Sequence, residues 1–69
     1  MPRSPRLTAS EAESLLIQAG FERLRSKGSH RIYGKAQLRV TVPFHSASVL
    51  HPKIVKQVIE TIEESRRGQ

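Results

Sequence analysis

Cysteine is absent from this 69-residue chain, so neither disulfides nor thiolate-held zinc can staple it. A chain this short buries only about 60% of the surface its unfolded form exposes. Its core must therefore come from well-patterned helices and strands. Tryptophan is absent too, and one tyrosine and two phenylalanines are too few for the aromatic platform on which single-stranded bases usually stack. No apolar run approaches the ~20 residues needed to span a bilayer. The opening "MPRSPRLTAS" lacks the apolar region of a signal peptide, so a soluble cytoplasmic protein is expected. His30, His45 and His51 do not have the spacing of a metal site, and neither a metal nor a cofactor is expected. No serine sits in a nucleophile elbow, and no glycine-rich phosphate loop is present.

One further absence is informative. Between Arg23 and His45 there is no acid, while Arg23, Arg25, Lys27, Arg31, Lys35 and Arg39 all fall there. The carboxylates lie outside, at Glu11, Glu13 and Glu22 and again at Glu60, Glu63 and Glu64. The whole chain carries twelve Lys and Arg against six acids, for a net charge of +6. Positive charge segregated in this way predicts a polyanionic partner, nucleic acid first. An acidic protein would suit the same patch.

Hydrophobic spacing divides the chain into five elements. Residues 1–7 read as a loose arm with prolines at 2 and 5. "TASEAESLLIQAGF" reads as a helix: Thr8 and Glu11 have capping-box spacing, and Glu11 and Glu13 in the first turn suit the helix dipole. Ala12, Leu15, Leu16 and Ala19 form an apolar stripe. Gly20 supplies a left-handed stop against which Phe21 folds back. "FERLRSK", "SHRIYGK" and "QLRVTVP" read as three short strands joined by tight turns, hence an antiparallel meander. In the third, Leu38, Val40 and Val42 share one face, and Pro43 ends the ladder. "FHSASVLH" reads as a loop. Pro52 then opens a second helix striped by Val55, Val58, Ile59 and Ile62, and residues 65–69 form a frayed basic end. The expected fold is a single α+β domain over residues 1–69, in the order α-β-β-β-α, with both helices on one face of the sheet. Phe21, Leu24 and Ile32 are expected to join the core, which places His30 at the core margin and Arg31 and Tyr33 on the open face.

The stretch "KGSHR" is the main chemical candidate. An imidazole can take a proton and return it near neutral pH, as cleavage of RNA through its 2′-hydroxyl requires. Gly28 permits close backbone approach. Ser29 can hydrogen-bond a phosphate oxygen, and Lys27 or Arg31 can stabilise charge developing on it. A histidine in a strand more often does no chemistry, so this triplet alone leaves catalysis and a plain polar role both open. His45 and Tyr33 are auxiliary candidates, the latter for stacking on a base or for packing under a loop. His51, directly before Pro52, reads as a helix-boundary residue.

The ordered set "LLIQAGFERLR", "KGSHRIY" and "RVTVPFH", followed by a proline-started terminal helix, resembles the HicA (YcfA-like) toxins of bacterial type II toxin–antitoxin pairs over about residues 7–62. Two stretches depart from the family pattern: the turn "GKAQLR" is shorter, and the terminal helix is longer and more charged. The resemblance implies a fold similar to the double-stranded RNA-binding domain and ribonuclease activity on mRNA. It implies that His30 is the essential histidine, with Gly28 and Ser29 in the same element, and that a HicB-like antitoxin covers the site. A non-catalytic RNA-binding domain and a module docking an acidic protein are the alternatives.

Overall fold

In the computed structural model, residues 6–44 and 49–67 are described. The order is α1 (Ala9–Gln18), β1 (Glu22–Lys27), β2 (His30–Lys35), β3 (Leu38–Pro43) and α2 (Pro52–Arg67), which is the expected α-β-β-β-α sequence. The strands form one antiparallel sheet in the order β1-β2-β3. Both helices pack against β3 and against each other. Among the described residues no helix is long and apolar enough to cross a membrane.

The ends of α1 follow the sequence closely. The Thr8 hydroxyl accepts from the Glu11 amide at 3.2 Å, and the Glu11 carboxylate accepts from the Thr8 amide at 2.9 Å. Two otherwise orphaned donors are thereby satisfied reciprocally. At the other end Gly20 takes φ +98°. Its amide reaches the Ile17 carbonyl at 3.0 Å, and the Phe21 amide reaches the Leu16 carbonyl at 2.9 Å. That pairing is the Schellman stop, and it brings Phe21 back onto Leu16; both side chains are buried.

The hairpins are equally short. Gly28 and Ser29 are the two loop residues between β1 and β2, with Lys27 paired to His30. Gly28 has φ +59° while Ser29 is not left-handed, the pattern of a turn that wants glycine first. Ala36 and Gln37 close the second hairpin, and Ala36 takes φ +55° without being glycine. The loop after β3 returns to the start of α1, where the Leu50 amide donates to the Leu7 carbonyl at 2.7 Å. Leu7 packs against the core, so the seventh residue of the expected loose arm belongs to the fold.

Ala12, Leu16, Phe21, Tyr33, Val42, Val55 and Val58 make the centre of the core. Three expectations are corrected. Leu24 is 46% exposed, because β1 carries a bulge between Arg23 and Arg25 and the helices lie over β3. Leu15 is also 38% exposed; α1 is buried through Ala9, Ala12 and Leu16 instead. The terminal helix continues to Arg67, with Ser65 buried and its hydroxyl donating to the Ile62 carbonyl at 2.7 Å, where a frayed end had been expected from residue 65.

The fourth correction matters most for function: the faces of β2 are the reverse of those expected. Arg31 pairs with Val42 and Tyr33 with Val40. Val40 and Val42 face the helices, so Arg31, Tyr33 and Lys35 do too, and Tyr33 is fully buried. His30, Ile32 and Gly34 occupy the open face. The physical reason is that each polar tip on the inner face finds a partner while its apolar stem is buried. The Tyr33 hydroxyl donates to Glu13, the Arg31 guanidinium donates to Glu13, and Lys35 Nζ donates to the Ala19 carbonyl.

Candidate active site at the first hairpin

The site is assembled by the Gly28–Ser29 turn and the strand that leaves it. A Cβ built on Gly28 meets nothing within 4 Å, so glycine is required there by its dihedral, not by crowding. Beyond the turn, the Phe44 amide donates to the Ser29 carbonyl at 2.5 Å. This extends the β2–β3 ladder past His30 and Pro43 and fixes the turn against the start of the next loop. His30 is exposed and is flanked by Lys27 on one side and Pro43 on the other. Residues directly opposite on one face of an antiparallel pair have Cβ atoms about 4.5–5.5 Å apart, so the Lys27 stem leaves the sheet beside the imidazole.

Arg31 is next in sequence but on the other side of the sheet. Its guanidinium lies 4.0 Å from the Phe44 ring centroid, a cation–π contact. It also donates to Glu13 Oε2 at 3.2 Å. Tyr33 donates its hydroxyl to the same Oε2 at 2.5 Å. These contacts hold the Glu13 carboxyl below its ordinary pKa: the Tyr33 hydrogen bond does most, partial burial opposes it, and Arg31 and the nearby Arg23 assist. Burial first, then donation to the Glu13 carboxylate, pushes the Tyr33 phenol up to about 12.

The basic block is therefore split. Arg25 and Lys27 pair with Ile32 and His30 and share their open face. Arg39, opposite Gly34, does as well. Its Nη1 donates to the Ala36 and Leu38 carbonyls at 2.9 and 2.7 Å. Arg23, Arg31 and Lys35 belong to the helix side. Lys35 Nζ, at 2.8 Å from the Ala19 carbonyl, completes the C-terminus of α1. Tyr33 cannot stack on a base from the open face, because its ring is in the core. His45 lies outside the described residues. His51 caps α2: its Nδ1 accepts from the Lys53 amide at 3.0 Å, and its carbonyl accepts from Ile54 and Val55.

Two contributors escaped the sequence reading. Glu13 drew notice only as a first-turn acid; the inward neighbours Ala12 and Leu16 and a basic strand lacking any acid of its own were the signals that it faces the sheet. Phe44 gave no signal beyond following Pro43.

The family model of the HicA toxin of bacterial toxin–antitoxin matches residues 9–63. The chain belongs to the HicA toxin family. No curated protein and no solved structure matches it. The matched span runs from the first residue of α1 to within α2, and so contains the whole hairpin that presents His30. As a HicA-family chain it is the toxin of a toxin–antitoxin pair, which implies an antitoxin partner.

Proposed function

We propose that this HicA-family toxin is a ribonuclease that cleaves mRNA with His30 as general base and is held in check by a HicB-like antitoxin. The observation that carries the reading is His30 itself. It stands exposed on the uncovered face of the sheet, next to a glycine turn and beside Lys27, within a chain of a toxin family. His30 takes the proton of a ribose 2′-hydroxyl. The freed oxygen attacks the adjacent phosphorus, the bond to the 5′-oxygen breaks, and a 2′,3′-cyclic phosphate forms while the leaving oxygen takes a proton from water. Lys27 stabilises the charge that builds on the phosphoryl oxygens. Arg31 does not serve this purpose, since Glu13 and Phe44 hold it on the opposite face.

The test compares wild type with His30→Ala on a single-stranded RNA and on the same sequence with 2′-deoxyribose throughout. Wild type should cut the RNA to cyclic phosphate ends and leave the deoxy strand intact. A base of this kind typically contributes about 10²–10⁴-fold, so His30→Ala should lose cleavage by that factor while keeping its circular dichroism and its RNA affinity. Undiminished cleavage by the folded variant refutes the assignment. Binding without any cleavage by wild type instead favours a binding module.

A further inference from the structure

We infer that the uncovered face of the sheet is a track for single-stranded RNA, running from the second hairpin to His30; the inference rests on the ribonuclease reading for its substrate but not for its geometry. Both helices cover the other face, so this surface is left to solvent. The register places Lys27 beside His30, Arg25 beside Ile32, and Arg39 beside Gly34. Arg25 and Lys27 are two residues apart on one strand, about 6.7 Å at the usual rise, close to the step between phosphates of an extended strand. A Cβ on Gly34 would come within 2.5 Å of Leu24 Cδ1 and 2.8 Å of Arg39 Nη1. Glycine at 34 therefore lets both side chains lie down on the sheet. Arg39 spends only Nη1 on its own turn, while Nε and Nη2 carry the other three of its five donors. Leu24 and the half-buried Ile32 supply an apolar floor between the cations.

Charge and chemistry choose the occupant. Among the described residues the acid on this face is Glu22, opposite Gly34 at the end away from His30, so positive charge grows toward the histidine. The face has no exposed aromatic, Tyr33 and Phe21 being buried. Recognition is accordingly by backbone phosphate, with little base stacking. A single strand is required because in-line attack by a 2′-oxygen needs a sugar–phosphate geometry that a regular A-form duplex does not adopt. The cations that would grip a duplex from the helix side are in part engaged within the fold, Arg31 by Glu13 and Lys35 by Ala19.

The experiment measures fluorescence anisotropy of a labelled, 2′-O-methylated 12-mer, which cannot be cleaved, with full-length protein across a salt series. Arg25→Ala and Arg39→Ala should each weaken binding about tenfold and flatten the log–log salt slope by about 0.7 per lost phosphate. Lys53→Ala and Lys56→Ala on α2 should change neither. Glu22→Lys should tighten binding and steepen the slope, a gain that misfolding cannot mimic. Equal effects from the α2 variants, equal affinity for the corresponding duplex, or open-face variants that bind RNA normally yet lose an antitoxin would each overturn the inference. Because the probe is uncleavable, these results stand apart from the fate of His30 as a base.

Discussion

Replacing Tyr33 by Phe isolates the hydrogen bond at the centre of the helix–sheet junction. The ring is fully buried, and Phe keeps its shape, so no cavity opens and the lost contact is the donation to Glu13 Oε2. Hydrogen bonds to charged groups contribute about 1.5–3 kcal/mol. Glu13 retains Arg31 and is 29% exposed, so water offsets part of the loss and about 1–1.5 kcal/mol is expected. With a urea slope of about 1 kcal/mol/M for so small a chain, the midpoint should fall by about 1–1.5 M. The pH dependence makes the test sharper. Glu13 titrates below its ordinary 4.5 in the fold, so its stabilisation is complete above that value and disappears as pH falls through the lower folded value. Tyr33 titrates at about 12 against an ordinary 10.0. Its contribution is therefore complete below 10 and is lost as pH rises through that window. The gap between wild type and Tyr33→Phe should be widest near neutrality and close at both ends. Urea melts followed by circular dichroism from pH 3 to 11.5 would show it. Equal midpoints at pH 7, or a gap of constant size across the range, would refute the assignment of Glu13 as acceptor.

Two further outcomes concern single backbone sites. Ala36→Gly should raise stability by about 0.5–1 kcal/mol, because a left-handed φ of +55° costs alanine more than glycine loses in chain entropy; a lower melting temperature would contradict the turn geometry. His51→Ala should lower stability by about 0.5–1 kcal/mol through loss of the cap on the Lys53 amide, and His51→Asn should restore it; thermal melts of the three proteins decide this.

Local rules set most of the chain. The capping box at Thr8, the Gly20 stop, the two-residue turns and Pro52 at the start of α2 depend on residues within a few positions of each other, so their chemistry is legible in order along the sequence. The faces of β2 are not of that kind. In "HRIYGK" Ile32 is the aliphatic residue, and local hydrophobicity points it inward. What decides otherwise is remote: Glu13, twenty residues before Tyr33, accepts from the phenol and the guanidinium, and the Ala19 carbonyl accepts from Lys35. A strand with a tyrosine and two long cations on one parity buries that parity only if another element supplies acceptors. Leu24 was misplaced for a related reason, since a bulge breaks the alternation on which the expectation depended. For the candidate site, the identity of His30 and its glycine turn was legible in "KGSHR", but which of its cationic neighbours stands beside it was not.

The two-residue turn pairs Lys27 with His30 and so gives them one face, and Arg31, the next residue of β2, takes the other, so the two cations that bracket the Gly28–Ser29–His30 triplet end on opposite sides of the sheet. Lys27 lies across the ladder from His30, and Arg31 lies between Glu13 and Phe44. A slip of one residue would exchange the faces of His30 and Arg31, so the Glu13 and Phe44 contacts also hold the histidine outward. Replacing each cation by Met keeps the stem and removes the charge. Lys27→Met should leave stability near wild type, reduce the salt slope of RNA binding by about 0.7, and slow cleavage. Arg31→Met should leave the salt slope unchanged and lower stability by about 0.5–1 kcal/mol, with any loss of cleavage following the loss of fold. If Arg31→Met were as stable as wild type and flattened the salt slope instead, Arg31 would be the phosphate contact, and the register that turns His30 to the open face would be wrong.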